Sequence, residues 1–146
     1  MSALAQTGAM QPEHPRTPAQ RAGDAAEALA AERLLAAGWT ILGRNVRLGR
    51  REVDLVAVDP GPPPALVVVE VRWRRRRDFG LPEETFDWRK RSHLRAALGG
   101  LLEAGVLPDG TSLPRLRARV DLVVVEPPAR AGEGPRIRHH RDALGE

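Results

Sequence analysis

Two short apolar runs joined by a proline-rich connector constrain this chain most. The runs are REVDLVAV at 51–58 and LVVVEVRW at 66–73, and DPGPPPA at 59–65 lies between them. Proline lacks the backbone N–H donor, so such a connector cannot continue a helix or form a central strand. Short runs rich in valine are typical of strands. The sequence therefore predicts two strands that fold back on each other as an antiparallel hairpin centred on Pro62.

The other elements alternate between helix and strand. A helical period covers 21–37 and stops at Gly38, and a second helix is expected at about 84–104. Further strands are expected at 39–47 and 118–126, with RIRHH at 136–140 as a candidate short last strand. Helix, three strands, helix and one or two strands predict a mixed α/β fold. We expect a flexible tail over 1–20 and a single domain over 21–146.

Composition points to a polyanionic partner. The chain has 146 residues, enough for one domain, and a net charge of +4. Lys90 is the only lysine among 23 basic residues, and arginine matches phosphate geometry well, although a GC-rich genome would produce the same bias. The absence of cysteine excludes disulfides and thiolate metal sites. No run resembles a signal peptide or a membrane span, so we expect a cytoplasmic protein without a membrane partner.

Acidic residues occupy both strands of the predicted hairpin. Alternation places Glu70 and Arg72 on one face of 66–73, and a hairpin centred on Pro62 sets Asp54 opposite Glu70. The same alternation places Glu52, Asp54, Val56 and Val58 on one face of 51–58, opposed by Val53, Leu55 and Ala57. Opposed side chains have Cβ atoms roughly 4.5–5.5 Å apart. Two carboxylates that close repel, and one becomes protonated unless a cation lies between them.

Each helix carries a charge on its apolar stripe. Glu27 falls near the centre of the arc formed by Ala30, Ala31, Leu34 and Leu35, so it is expected to point inward. Lys90 lies between Phe86 and Leu94 on the stripe of the second helix. Taken singly, these charges have ordinary explanations: a surface ion pair for Glu70 with Arg72, a surface acid for Asp54, a helix-start charge for Glu27 and an outward-reaching amine for Lys90. Together they favour a site.

This constellation resembles the PD-(D/E)xK nuclease site, and the chain resembles the YraN family of bacterial proteins. The motifs that carry the resemblance are, in order, GDAAE (23–27), GWTILGRNVR (38–47), REVDLV (51–56), VVVEVRWR (67–74), FGLPEETFDWRK (79–90), VDLVVV (120–125) and IRHHRDAL (137–144). The resemblance covers about 23–144. It implies a restriction-endonuclease-like α/β fold, a mixed β-sheet flanked by helices in the order αβββαβ.

The resemblance also implies a metal site. Asp54 and Glu70 would be ligands of a divalent metal, with the Val71 backbone carbonyl, and Glu27 would bind directly or through water. Such oxygen ligands suit Mg²⁺ or Mn²⁺. Arg72 and Lys90 would hold the scissile phosphate or the hydroxide. The residues expected to follow a nucleic-acid backbone are Arg44, Arg47, Arg74, Arg75, Arg76 and Arg77.

Two positions depart from the family pattern. Arg51 replaces the glycine that precedes the acidic strand motif, and Arg72 stands at the catalytic lysine position. Arginine is always protonated, so Arg72 cannot accept a proton, but an electrostatic role survives. Trp73 is expected to pack, with base stacking as the alternative. Adjacent strand residues face opposite ways, so we do not expect His139 and His140 to share an ion.

The sequence favours a metal-dependent endonuclease that hydrolyses phosphodiester bonds in DNA. Branched DNA and single-stranded DNA are both candidate substrates. The alternative is a nucleic-acid-binding module on the same fold with little or no catalysis. A third reading is a protein-interaction domain whose basic patch binds an acidic partner. The choice between DNA and RNA and the oligomeric state, including a homodimer, stay open.

Overall fold

A five-stranded sheet with one helix packed on each face forms the framework of the chain. A computed structural model describes residues 15–74 and 86–145. The elements are α1 Pro18–Ala36, β1 Thr40–Leu48, β2 Arg51–Asp59, β3 Ala65–Trp73, α2 Trp88–Ala104, β4 Arg117–Glu126 and β5 Arg136–His140. The predicted mixed α/β order is confirmed, and the short last strand is present.

Both helices begin where a side chain caps them, which shifts their predicted starts. The Thr17 hydroxyl accepts the Gln20 N–H at 3.1 Å, and the Gln20 side chain accepts the Thr17 N–H at 2.9 Å. This capping box, with Pro18 in the first turn, starts α1 within the range expected to be tail. Helix α1 therefore begins three residues before its expected start at residue 21, and residues 1–14 lie outside the described residues.

The second helix starts later than expected and continues through two glycines. Asp87 caps α2 by accepting the N–H groups of Arg89 and Lys90, both at 3.1 Å. Residues 84 and 85, where the helix was expected to begin, lie outside the described residues. Gly99 and Gly100 do not end α2, because the flanking side chains Ala97 and Leu101 are buried against the sheet.

The strands follow one another in space in the order β1-β2-β3-β4-β5. The pair β3 and β4 is parallel, with α2 in the connection between them, and the other neighbours are antiparallel. The predicted hairpin register holds from Asp59 opposite Ala65 to Leu55 opposite Val69. Pairing stops there, one position before Asp54 and Glu70 would meet.

Alternating strand residues build a core on each side of the sheet. Leu55, Ala57, Val67 and Val69 pack with the buried face of α1, whereas Val56, Leu66, Val68 and Val124 pack with that of α2. Val53 departs from the predicted alternation, because it packs with Val56 on the α2 side. The departure falls where β2 ceases to pair with β3, and the neighbouring strand also bends there, with Asn45 at φ 48°. No helix among the described residues is long and apolar enough to cross a membrane.

Candidate metal centre

The strands β2 and β3 separate at Asp54, and its carboxylate takes over the contact between them. The Val71 N–H donates to Asp54 Oδ2 at 2.7 Å, in place of a backbone pairing with β2. Hydrogen bonds to an ionised acceptor are among the stronger ones in proteins. The acid at the start of the β2–β3 gap therefore fixes the residue that follows Glu70.

Glu70 is buried in the gap and contacts two cations. Its side chain is 5% exposed, Arg72 Nε lies 3.1 Å from Glu70 Oε2, and Lys90 Nζ lies 3.2 Å from the same oxygen. Lys90 reaches this position because it sits one helical turn before the buried Leu94, on the face of α2 that packs on the sheet. The structure thus brings Lys90 of α2 to Glu70 and Arg72 of β3.

Glu27 approaches from the opposite helix. It lies beside the buried Ala26 on α1, within hydrogen-bonding reach of Asp54. Burial raises the pKa of Glu27 to about 7, with the negative charge of Asp54 adding to the effect. Near neutral pH this carboxyl group is therefore only partly ionised.

Crowding of the acids also affects Glu70. Burial and the Asp54 charge raise the pKa of Glu70 to about 7, although Lys90 and Arg72 oppose the increase. Two cations therefore do not fully compensate the negative charge gathered around Asp54. A divalent cation at this place would relieve the repulsion that two neighbouring monovalent cations leave.

The donors fit an open metal site rather than a closed cage. Among residues 15–74 and 86–145, no three carboxylate or histidine side chains form a ready-made cluster around one point. The acids instead form two pairs that share Asp54, with Glu27 on one side and Glu70 on the other. Magnesium usually takes one or two protein carboxylates and keeps several waters. Asp54 and Glu70 suit that requirement, and Glu27 is placed to act through water.

Arg72 has one unused donor at the site. Its Nε lies close to Glu70 as an ion pair but without hydrogen-bond geometry, so this buried nitrogen has no hydrogen-bond partner among the described residues. Buried donors without a partner are costly and uncommon. The guanidinium as a whole is less enclosed, because the Arg72 side chain is 29% exposed.

The predicted nucleic-acid contacts have different surroundings. Arg44 is exposed and lines a cavity of about 150 Å³ together with Asp24 and Glu27, which places it beside the acids. Arg47 is exposed and lies 3.6 Å from Glu52. Arg74 is only 10% exposed and pairs with Glu126 at 3.0 Å, so its charge serves the fold. Arg75, Arg76 and Arg77 lie outside the described residues.

The tryptophans differ in their exposure. Trp73 is partly buried and packs against the α1-side core, the alternative that the sequence favoured. Trp88, which the sequence did not single out, is 70% exposed at the first position of α2. A tryptophan next to a capping aspartate reads as an ordinary helix start, so only its exposure in the structure distinguishes it.

A second ionic cluster, at the other end of the sheet, was also missed by the sequence reasoning. Asp121 is fully buried and accepts from Arg119 Nε at 2.8 Å and the Asp142 N–H at 2.9 Å, and it contacts His139 Nε2 at 2.8 Å. Arg119 also donates to Asp59 at 2.7 Å, beside a cavity of about 700 Å³. The only signal in the sequence was an acid inside the apolar run VDLVVV.

Comparison with known proteins identifies the family. The model of the uncharacterised protein family UPF0102 matches residues 26–125. A UPF0102 protein of Symbiobacterium thermophilum is 43% identical over 108 residues, which covers 74% of this chain and 84% of the relative. Others from Dehalococcoides mccartyi and Xanthomonas euvesicatoria are 35% and 39% identical, covering 85% and 86% of this chain and 93% and 92% of the relatives. The chain therefore belongs to UPF0102, the YraN family.

Proposed function

We propose that this protein is a divalent-metal-dependent nuclease that hydrolyses phosphodiester bonds, with DNA as the favoured substrate. One observation carries the proposal: Asp54 and Glu70 meet at a gap in the sheet, with Glu27, Arg72 and Lys90 around them. Oxygen donors for a hard cation and positive charges for a phosphate are thus side by side. Strongly shifted carboxyl pKa values are common at functional sites.

Each residue of the site has a separate task in this proposal. Asp54 and Glu70 hold Mg²⁺ or Mn²⁺, with the Val71 carbonyl, and Glu27 orients water from the α1 side. The partly exposed guanidinium of Arg72 contacts a phosphate oxygen, and Lys90 adds a positive charge on the same side. A divalent ion bound here supplies Lewis acidity and lowers the pKa of bound water.

The cations act only through their charge. Arg72 stays protonated at every accessible pH, so it cannot remove a proton from water. Its contribution is to stabilise negative charge on the transferring phosphoryl group, as fixed donors do in other phosphoryl-transfer sites. Exposed Arg44, beside Glu27, is the described arginine best placed to bind an adjoining phosphate.

A second candidate is a nucleic-acid-binding module with little or no catalysis. The observation that favours it is the contact of Glu70 with both Arg72 and Lys90, because these cations already offset part of the charge that a metal would neutralise. In that case removal of the Glu70 charge would strengthen nucleic-acid binding rather than abolish a reaction.

Cleavage of a substrate panel tests the proposal. Duplex, single-stranded, flapped and four-way DNA and structured RNA are incubated with Mg²⁺, Mn²⁺ or EDTA, with wild-type protein, Glu70→Gln and the exposed-site control Glu133→Gln. We expect metal-dependent cleavage that falls more than about 100-fold in Glu70→Gln and is unchanged in the control. Metal-independent cleavage, or equal rates in all three proteins, would overturn the proposal. Binding without cleavage would favour the second candidate.

A further inference from the structure

The outer face of α2 carries an exposed indole among cations. Trp88 is 70% exposed, more than any other large apolar side chain that the structure describes. Arg91, Ser92 and Arg95 follow at positions i+3, i+4 and i+7, so they share its side of the helix, and all three are exposed. This set, Trp88, Arg91, Ser92 and Arg95, is the outer face of α2.

The charge on this part of α2 is of one sign. Between Trp88 and Leu102 the helix contains Arg89, Lys90, Arg91 and Arg95 but no aspartate or glutamate. Arg89 also places its guanidinium 5.5 Å from the centre of the Trp88 ring. Exposed cations interleaved with an aromatic ring are the combination that binds single-stranded nucleic acid through phosphates and base stacking.

We infer that Trp88 is a stacking platform for an unpaired base of the nucleic-acid substrate. Bases within a duplex stack on one another, so only an unpaired base offers a free face to an indole ring. The cations beside the ring complement the phosphates of the same strand. The inference rests on the proposed function for the substrate, and it makes single strands and flaps the preferred class.

The position of Trp88 also sets a length requirement. Lys90, two residues later, points to Glu70 on the opposite side of the helix from Trp88. A helix with its side chains is about 10–12 Å across. A nucleic-acid strand that rises about 3.4 Å per nucleotide spans this helix width in roughly three to four nucleotides. The stacked base therefore lies about three to four nucleotides from the phosphate that Arg72 and Lys90 contact.

Binding measured without turnover tests this inference. Fluorescence anisotropy in EDTA is recorded for labelled single-stranded DNA, the matching RNA oligonucleotide, a blunt duplex, and duplexes with one-nucleotide and six-nucleotide flaps. We expect Trp88→Ala to weaken binding of the single strand and the long flap by about 5- to 100-fold. Trp88→Phe, which keeps a ring, should recover most of the affinity. Blunt duplex and short flap should change less than about twofold. Comparison of the DNA and RNA oligonucleotides shows which of the two nucleic acids supplies the stacked base.

Two controls separate stacking from general effects. Leu102→Ala removes another exposed apolar side chain, 49% exposed, at the far end of the same helix and should change nothing. Arg95→Ala should weaken single strand and duplex alike and lower the salt dependence of binding by about one counterion. Quenching of tryptophan fluorescence by the single strand should disappear in Trp88→Phe.

The outcomes distinguish this inference from the nuclease proposal. Trp88-dependent binding of single strands supports the platform even when no lane of the cleavage panel shows product. Equal weakening of single strand and duplex by Trp88→Ala would overturn it, as would unchanged affinity for both or no binding of any probe. If cleavage of single strands and flaps is lost in Glu70→Gln but unchanged in Trp88→Ala, the nuclease proposal holds and the stacking role of Trp88 is wrong.

Discussion

Asp54 Oδ2 accepts the Val71 N–H at 2.7 Å, so the acid of one strand holds the backbone next to the acid of the other. This bond keeps Asp54 near Glu70 although their charges repel. The bond therefore opposes the separation of the two acids that their repulsion favours. Protonation and cation binding both lower this repulsion.

The first prediction concerns the charge of Asp54. Asp54→Asn keeps a side-chain oxygen for the Val71 N–H but removes the negative charge that raises the pKa of Glu27 and Glu70. Both pKa values should fall from about 7 towards the ordinary glutamate value. Titration of the side-chain carboxyl ¹³C signals measures them, with Glu32→Gln as the control on the exposed side of α1. Values that stay near 7 would show that burial alone is responsible.

The second prediction concerns stability and pH in metal-free protein. The pKa of Glu27 is raised from 4.5 to about 7 in the folded state, so the folded chain binds this proton more tightly than the unfolded chain. The resulting stability is present below pH 4.5 and is lost as the pH rises through 7. Glu27→Gln should therefore raise Tm at pH 8 relative to wild type and change it much less at pH 5. A variant that behaves alike at both pH values would contradict this prediction.

Asp121 should show the opposite pH dependence. Burial opposes its ionisation, but His139, Arg119 and the Asp142 N–H together lower the pKa of Asp121 below its ordinary value of 3.8. Its stabilising effect is present above pH 3.8 and is lost on acidification below that value. Asp121→Asn should cost roughly 3 kcal/mol at pH 7, because the buried carboxylate that Arg119, His139 and the Asp142 N–H share loses its charge and Arg119 keeps only Asp59 as an acidic partner among the described residues. Denaturant unfolding should show that the free energies of unfolding of wild type and Asp121→Asn differ less at pH 3 than at pH 7. An equal difference at both pH values would contradict a lowered pKa of Asp121.

Glu126 anchors the end of β3. It is 5% exposed and pairs with Arg74 at 3.0 Å and with Arg138 on β5. Glu126→Ala should lower the free energy of unfolding by roughly 3 kcal/mol, since it removes the buried carboxylate that both Arg74 and Arg138 contact. Glu133→Ala, at an exposed turn, should change it by less than about 0.5 kcal/mol. Similar losses for the two variants would mean that the Glu126 contacts do not stabilise the fold.

Much of the fold could be predicted because its signals are local. The proline-rich connector determined the β2–β3 hairpin and its register, and the period of Leu94, Ala97 and Leu101 determined the buried face of α2. Val53 could not be placed, because alternation assumes continuous pairing and β2 leaves β3 just beside it. The start of α1 was missed because its capping box lay in a segment whose prolines suggested a tail.

The sequence predicted which residues form the candidate site but only some of the contacts between them. Alternation and helical period placed Asp54, Glu70, Glu27 and Lys90 inward, and the structure brings them together. The partner of Arg74 could not be foreseen, because Glu126 is 52 residues away on a parallel neighbour. The exposure of Trp88 depends on how α2 packs as a whole, which a local pattern does not reveal.

Binding of Mn²⁺ measured by calorimetry at pH 6 and pH 8 shows whether Asp54 and Glu70 form a metal centre, because it needs no substrate. We predict one site in wild-type protein that binds more tightly at pH 8, since the carboxyl protons of Glu27 and Glu70 no longer compete. Asp54→Asn and Glu70→Gln should weaken binding by more than about tenfold, and Glu32→Gln should not. Absent binding, or equal affinity in all four proteins, would contradict a metal centre at Asp54 and Glu70.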